Sequence, residues 1–169
     1  MAEMRRASAS ERDELSALAF RSKAHWGYSR EFMDACRDEL TVSDAQIAAG
    51  LVFVAEDERG IVGFYGLELL SSQRVELSHC FVDPGAIGKG VGRSLMEHAI
   101  EEARHLGSSV LVIQSDPHAA SFYASLGARA AGFLASDSIA RRMLPLLEID
   151  LGIAASTQDS DASGRQRHR

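Results

Sequence analysis

The chain has 169 residues, 46% of them hydrophobic and 25% charged, with a formal net charge of −6. That length predicts one domain with a sizeable core, and the acidic balance argues against nonspecific nucleic-acid binding, so any anion site must be local. Cys36 and Cys80 are too few for a disulfide framework, and we assign neither to a metal. The first residues lack a signal-peptide pattern, and no uncharged run approaches the ~20 residues of a membrane span. We therefore expect a cytoplasmic protein that does not contact a membrane.

The first half of the chain predicts two helices followed by a β-meander. A short strand is expected within residues 1–7, and Ser10 is the predicted cap of a helix that ends near residue 23. Ser29 is the predicted cap of a second helix over residues 30–40. Short polar turns then join strands expected at 51–56, 61–70 and 74–82, which predicts antiparallel pairing.

A glycine-rich loop follows the third strand of this meander. It reads Gly88-Lys89-Gly90-Val91-Gly92-Arg93 and leads into a helical pattern with Val91, Leu95 and Ala99 on one face. The first turn of a helix carries unpaired N–H groups at the positive end of its dipole, and glycines let an anion come close to them. The unit therefore predicts a phosphate site, to which Lys89 and Arg93 add positive charge.

Two nucleotide-binding motifs do not fit this loop. A Walker A loop needs Ser or Thr after Gly-Lys, but Gly88-Lys89 is followed by Gly90. A Rossmann loop follows the first strand of its unit and has an acidic residue about 20 residues further on, at the end of the next strand. This loop lies in mid-chain, and the next strand pattern, 109–114, ends in Gln114.

The second half of the chain predicts a crossover and a final pair of strands. The helix after the loop should end at Gly107, and strand 109–114 should be buried and parallel to the strand before the loop. Pro117 opens another helix that Gly127 ends, and strands follow at 129–134 and 143–151. Residues 153–169 lack apolar periodicity, so we expect a disordered tail after a single domain, 1–152.

Two segments of the chain resemble the GNAT N-acetyltransferase superfamily. Ile87-Gly88-Lys89-Gly90-Val91-Gly92 is similar to the acyl-CoA pyrophosphate loop, Arg/Gln-x-x-Gly-x-Gly/Ala, with Ile87 in place of the usual first residue. The run from Asp116 to Ala128 is similar to Asn-x-x-Ala-x-x-Phe-Tyr-x-x-x-Gly-Phe, with Asp for Asn and Ala for the last Phe. The two motifs occur in the family's order.

The resemblance implies a fold and an activity. The fold is a mixed α/β (α+β) domain with a central, splayed, mostly antiparallel sheet of six to seven strands and about four helices. The activity is transfer of an acetyl group from acetyl-CoA to a primary amine by direct attack, without a metal. A small-molecule amine is the favoured acceptor, and a homodimer is compatible with the sequence. The alternatives are a protein or peptide N-acetyltransferase with a regulatory role and a noncatalytic acyl-CoA-binding module.

The resemblance also implies which residues bind the acyl-CoA. Backbone groups of a strand end, the glycine loop, and the helix after Asp116 supply the contacts. The predicted cofactor-binding residues are Phe81, Val82, Gly88, Lys89, Gly90, Val91, Gly92, Arg93, Ser94, Asp116, Ala119 and Phe122.

Tyr123 and Glu76 are the predicted catalytic residues. A phenol with a pKa near 10 can give a proton to a leaving thiolate, and Tyr123 occupies the family's position for that acid, although it could also be a core aromatic. Strand alternation puts Glu76, Ser78 and Cys80 on one face unless a bulge resets the count. Glu76 matches the strand carboxylate that serves as base in the histone-acetylating branch. Glu68, His79 and solvent acting through a water chain are the rival bases.

The acceptor side is predicted from the connection between the first two helices. Trp26 and Tyr28 flank a glycine there, and in the family this connection commonly lines the acceptor pocket. Trp26 could equally be a core residue. Both aromatics are therefore candidate substrate-binding residues.

Overall fold

The computed structural model describes residues 1–152, and the tail for which disorder is predicted lies outside the described residues. Within that range the chain forms a single seven-stranded sheet in the order β1-β2-β3-β4-β5-β7-β6. The strands are β1 (Glu3–Arg6), β2 (Val52–Asp57), β3 (Gly60–Leu69), β4 (Arg74–Val82), β5 (Val110–Gln114), β6 (Arg129–Ala135) and β7 (Met143–Asp150). The α-helices of the same range are α1 (Arg12–Ala24), α2 (Arg30–Ala35), α3 (Arg37–Leu40), α4 (Asp44–Ala48), α5 (Val91–His105) and α6 (Ala120–Ser125). The predicted mixed fold with a mostly antiparallel sheet is confirmed.

The first helical segment begins earlier than predicted, as a 3₁₀ turn, although α1 itself starts at Arg12. The Glu11 carboxylate accepts a hydrogen bond of 2.8 Å from the Ser8 backbone N–H, which makes Ser8 the cap instead of Ser10. A 3₁₀ turn, Ala9–Glu11, then leads into α1. The motif Ser-x-x-Glu starting at Ser8 is the capping box, and it fixes the helix start more firmly than the lone Ser10 could.

The second predicted helix is divided, and a further helix was not predicted. Ser29 caps α2 as expected, with its Oγ accepting from the Phe32 N–H at 3.1 Å. The helix then stops at Ala35 and restarts as α3 after Cys36. Helix α4 begins with a second capping box, in which Ser43 and Gln46 exchange hydrogen bonds of 3.1 and 2.8 Å.

Strands β4 and β5 are parallel, as predicted, but they pair over a short distance. Arg74–Glu76 pairs with Val110–Val112, and the described pairing ends there. The rest of β4 pairs only with β3, and the rest of β5 only with β7. The sheet is therefore open between the ends of its two central strands, which is the predicted splay.

A bulge at Ser78 changes which residues of β4 share a face. His79 pairs with Gly66 and Leu77 with Leu67, so Ser78 is left over. Leu77 and Cys80 consequently pack into the same hydrophobic cluster under α5. The prediction that Cys80 shares a face with Glu76 was wrong because the extra residue reverses the alternation.

Two hydrophobic cores lie on opposite sides of the sheet. Helix α5 covers one side with the face predicted for it: Val91, Leu95, Ala99 and Ala103 are all buried. Helices α1 to α4 cover the other side, against β2 and β3. Over residues 1–152, no helix has the length and apolar character needed to cross a membrane.

Candidate active site between the splayed strands

A cavity of about 760 Å³ occupies the opening between β4 and β5. Its lining includes most of the predicted site residues, and the exceptions are Lys89, Val91, Ser94 and Tyr28. The predicted residues in the lining are Trp26, Glu76, Phe81, Val82, Gly88, Gly90, Gly92, Arg93, Asp116, Ala119, Phe122 and Tyr123. The strand ends, the glycine loop and the segment after β5 thus meet at one site, as the sequence predicts.

The glycine loop leaves open space at the start of α5. Gly88 and Gly90 have φ values of +78° and +83°, and a Cβ at either position would meet no atom within 4 Å. Because the first 1–5 backbone hydrogen bond of α5 runs from the Ser94 N–H to the Gly90 carbonyl at 3.1 Å, the N–H groups of Val91 to Arg93 precede the helical ladder. No acidic residue lies in this first turn. The loop therefore fits an anionic group such as a pyrophosphate.

Three residues of this loop that were predicted to bind the cosubstrate do not line the cavity. The Val91 side chain is buried in the core, so its N–H alone can face a ligand. The Ser94 N–H is used by the helix, and Lys89 is exposed outside the cavity lining. Gly92 differs from Gly88 and Gly90, because a side chain there would crowd a neighbour: a Cβ at Gly92 would lie 3.3 Å from Phe122 Cζ.

The end of β4 has one edge without a strand partner among residues 1–152. Phe81 and Val82 pair with Phe64 and Gly63 of β3, while the pairing with β5 has already ended at Glu76. Backbone groups on the open edge can bind an extended ligand as a further strand would. The role of Phe81 and Val82 toward a pantetheine arm stays a prediction.

Tyr123 is almost fully buried, with 7% of its surface exposed, and it contributes to the cavity wall. Burial, together with the neighbouring Cys80 thiol, raises the pKa of Tyr123 well above its ordinary value. Burial likewise raises the pKa of Cys80 to about 12. Both groups are therefore protonated at neutral pH, so Tyr123 can donate a proton and Cys80 is a poor nucleophile.

Glu76 is a half-buried carboxylate at the point where β4 and β5 separate. Burial, and secondarily the charge of Glu68 on the adjacent strand, raise the pKa of Glu76 above its usual value. Its Oε1 accepts a hydrogen bond of 3.1 Å from Gln114 Nε2. Glu68 is exposed and does not line the cavity, so the two carboxylates have different surroundings.

His79, the other rival base, is 5% exposed. Burial lowers the pKa of His79 to about 4, so the imidazole is neutral at pH 7. Its Nδ1 lies 3.3 Å from Ser78 Oγ, and its Nε2 is buried without a hydrogen-bond partner in the described part of the chain. A weakly basic imidazole with a buried Nε2 suits proton abstraction less well than Glu76 does.

Trp26 lies in the cavity wall with 45% of its surface exposed, so it is not a core residue. Its indole stacks on the His118 imidazole, with ring centroids 5.0 Å apart and planes 6° apart. The stack joins the α1–α2 connection to the segment after β5. His118 was not predicted as a site residue, because only the fold brings it to Trp26.

Asp116 and Tyr28 belong to one polar group, which we call the Asp116 cluster: Lys23, Tyr28, Asp116 and Arg142. The Tyr28 hydroxyl donates to the Asp116 carboxylate at 2.8 Å, and Arg142 and Lys23 approach the same carboxylate at 3.3 and 3.4 Å. Lys23 and Asp116 line the cavity, while Tyr28 and Arg142 are absent from its lining. No motif marks Lys23 or Arg142, so neither was predicted as a site residue.

Comparison with known proteins gives consistent results. The model of a family described as "Acetyltransferase (GNAT) domain" matches residues 48–127. The chain is 31% identical over 130 residues to a protein of Pseudomonas phage PaMx11 named 5-NmdU N-acetyltransferase, an alignment that covers 76% of this chain and 88% of the relative.

Three solved structures illustrate the shared fold. PaiA N-acetyltransferase of Thermoplasma acidophilum, in complex with coenzyme A, has a TM-score of 0.73 at 19% identity over 89% of this chain and 99% of its own. YncA of Salmonella typhimurium, with acetyl-CoA, has a TM-score of 0.67 at 22% identity, covering 94% and 99%. The ribosomal-protein-S18-alanine N-acetyltransferase of Escherichia coli has a TM-score of 0.67 at 19% identity, covering 93% and 98%.

Proposed function

The chain belongs to the GNAT family of N-acetyltransferases, and we propose that it transfers an acetyl group from acetyl-CoA to the primary amine of a small molecule by direct attack. The observation that carries this proposal is the meeting of the glycine loop, Glu76 and Tyr123 in one cavity between the splayed strands. Its open anion site at the start of α5 suits the pyrophosphate of the cosubstrate, and Lys89 adds charge from outside the lining.

Glu76 has the properties of the general base. An amine attacks a thioester only when it is neutral, and most primary amines are protonated at pH 7. A carboxylate with a raised pKa accepts a proton more readily than an exposed one does, and burial has this effect on the pKa of Glu76. Its position beside the opening of β4 and β5 lets it receive the proton directly or through a water molecule.

Tyr123 has the properties of the general acid. When the amine nitrogen forms its bond to the acetyl carbon, the carbon–sulfur bond breaks and the sulfur carries the electron pair as a thiolate. The buried Tyr123 hydroxyl, which is protonated at neutral pH, can supply the proton that completes the thiol. The Phe81 and Val82 backbone would hold the pantetheine arm along the same opening.

Direct attack is supported over an acyl-enzyme route. Of the residues that line the cavity, Cys80 is the one that carries a thiol, and burial keeps the pKa of that thiol near 12. A neutral thiol would need a base to become a nucleophile, and the polar neighbour identified for it is the protonated hydroxyl of Tyr123. The amine is therefore the proposed nucleophile.

A small acceptor is favoured by the wall that Trp26 forms. The stack of Trp26 on His118 and the nearby Asp116 cluster join three segments around the cavity. A protein or peptide acceptor, the alternative, would need an extended groove instead. The phage relative is named for 5-NmdU, so 5-NmdU belongs among the first acceptors to be tested.

The test is an acceptor panel with acetyl-CoA, in which thiol release is followed and the acetylated amine is identified by mass spectrometry. We expect amine-dependent thiol release with at least one small amine. Tight acetyl-CoA binding without turnover on any amine or peptide would favour the noncatalytic acyl-CoA-binding module. Turnover restricted to peptides or proteins would replace the small-molecule proposal.

A further inference from the structure

The side chain of Asp116 is fully engaged by protein groups. Its Oδ1 accepts from the His118 backbone N–H at 2.9 Å and from the Tyr28 hydroxyl at 3.0 Å. Its Oδ2 lies 2.8 Å from the same hydroxyl, 3.3 Å from an Arg142 nitrogen and 3.4 Å from Lys23 Nζ. These partners occupy the carboxylate from several directions, and the Asp116 side chain is 15% exposed.

The two cations of the Asp116 cluster depend on this carboxylate to different degrees. Their side chains are only 10% (Lys23) and 15% (Arg142) exposed. Lys23 has a second carboxylate, that of Glu39, at 3.9 Å. Among residues 1–152, Asp116 is the one carboxylate within salt-bridge distance of Arg142, whose guanidinium also lies over the Phe32 ring at 4.8 Å. Loss of the Asp116 charge would leave Arg142 buried without a counter-ion.

Arg142 needs a negative charge at position 116, and an Asn, the residue of the motif that this segment resembles, would not supply it. An asparagine could keep the two hydrogen bonds at Oδ1 with its carbonyl oxygen. Its NH₂ group would then replace Oδ2 and point donor hydrogens at Lys23 and Arg142, which are themselves donors only. In this chain, asparagine is therefore the wrong residue at position 116.

We propose that Asp116 is a positioning residue, whose carboxylate joins α1, the α1–α2 connection, the residue just before β7 and the segment after β5 into one wall of the cavity, without itself contacting acetyl-CoA. The wall carries the Trp26–His118 stack, because the Asp116 carboxylate binds the His118 backbone N–H and the Tyr28 hydroxyl on either side of it. Only the expected change in acceptor kinetics rests on the proposed function.

The test uses the full chain and three readouts: Trp26 fluorescence, acetyl-CoA affinity by calorimetry, and acceptor KM against kcat. Trp26 is the only tryptophan of the chain, so its emission reports the wall directly. For Asp116→Asn we expect shifted Trp26 emission, an acceptor KM raised about tenfold or more, and an acetyl-CoA Kd within about threefold of wild type. In Asp116→Asn/Arg142→Met, removal of the unpaired cation should restore the emission and most of the acceptor KM.

Asp83→Asn is the matched control. Asp116 and Asp83 each cap a 3₁₀ turn that begins with a proline, Pro117–Ala119 and Pro84–Ala86. Asp83 accepts from the Gly85 N–H at 2.9 Å and pairs with Arg21 at 2.9 Å, but it does not line this cavity. It should leave Trp26 emission and acceptor KM unchanged. If Asp116→Asn does not fold, Tyr28→Phe, which removes the hydroxyl that donates to Asp116 and accepts from Arg142 at 2.9 Å, should shift both readouts in the same direction by a smaller amount.

Three results would overturn the inference. One is wild-type Trp26 emission and acceptor KM in the folded Asp116→Asn protein. Another is a rise of tenfold or more in acetyl-CoA Kd with unchanged emission, which would assign Asp116 to direct cosubstrate contact. The third is a double variant, Asp116→Asn/Arg142→Met, whose Trp26 emission remains shifted like that of Asp116→Asn. If the wild-type protein acetylates no amine, the proposed function fails, while emission and acetyl-CoA affinity still decide the role of Asp116.

Discussion

The side chains of Glu76 and Gln114 are joined by a hydrogen bond of 3.1 Å where β4 and β5 cease to pair. Gln114 Nε2 donates to the Glu76 carboxylate, so the two strands are linked by side chains once their backbones diverge. The bond orients the carboxylate next to the cavity and leaves its other oxygen free to accept a proton. This position supports the proposed role of Glu76 as the base for an amine bound between the strands.

Glu76→Gln should lower kcat by about 10²-fold, because the amide cannot accept a proton. In the wild-type enzyme, kcat should rise with pH as Glu76 loses its proton, and burial raises that pKa above its ordinary value. The acid limb of kcat should disappear in the Glu76→Gln variant. The measurement is the pH profile of kcat at saturating acetyl-CoA and amine.

Glu68→Gln is the control for this prediction. Glu68 is exposed and lies opposite Glu76 in the β3–β4 ladder, so its negative charge raises the pKa of Glu76. Its removal should shift the acid limb to lower pH with little loss of maximal kcat. A loss of kcat in Glu68→Gln equal to that in Glu76→Gln would contradict the assignment of Glu76 as the base.

The glycine loop gives a test with a control on the same helix. Gly90 at the start of α5 and Gly107 just after its end have φ values of +83° and +80°, and a Cβ at either would meet no atom within 4 Å. An aspartate at either position therefore causes similar backbone strain. Gly90→Asp should abolish acetyl-CoA binding through charge and bulk at the anion site, whereas Gly107→Asp should bind as wild type does. Calorimetry with acetyl-CoA distinguishes them, and equal affinities would contradict the loop assignment.

Trp26→Ala should change acceptor kinetics with little loss of stability. A buried tryptophan would cost about 3–5 kcal/mol on truncation, but Trp26 is 45% exposed. We expect a melting temperature near that of wild type, unchanged acetyl-CoA affinity and a raised acceptor KM or altered acceptor preference. Phe133→Ala, which removes an aromatic side chain 67% exposed and outside the cavity lining, is the control. A destabilised Trp26→Ala protein with unaltered acceptor selectivity would remove Trp26 from the site.

The sequence predicts the parts of this protein that depend on local pattern. The apolar face of α5, the left-handed glycines before it and the alternating strands are each set by residues close together in the chain, so the loop and the sheet could be predicted. The capping box of α4, Ser43 with Gln46, is equally local and marks a helix that was not predicted.

Other features depend on contacts between distant segments. The bulge at Ser78 is a property of the pairing of β3 with β4, so alternation within β4 alone could not locate it. The Asp116 cluster brings together residues up to 119 positions apart in the chain, Lys23 and Arg142, with no motif to mark the two cations. The sequence predicts a direct ligand contact for Asp116 and for Tyr28, and these contacts stay predictions; the hydrogen bond that joins the two side chains could not be predicted.

The proposed mechanism is tested most directly by a comparison of wild type with Tyr123→Phe for acetyl-CoA affinity and amine-dependent thiol release. The substitution keeps the buried ring and removes only the hydroxyl, so packing against the cavity is conserved. We predict an acetyl-CoA Kd close to that of wild type and a kcat lower by about 10²-fold or more, the scale expected on loss of a general acid. Equal turnover by the two proteins would contradict the proposed mechanism.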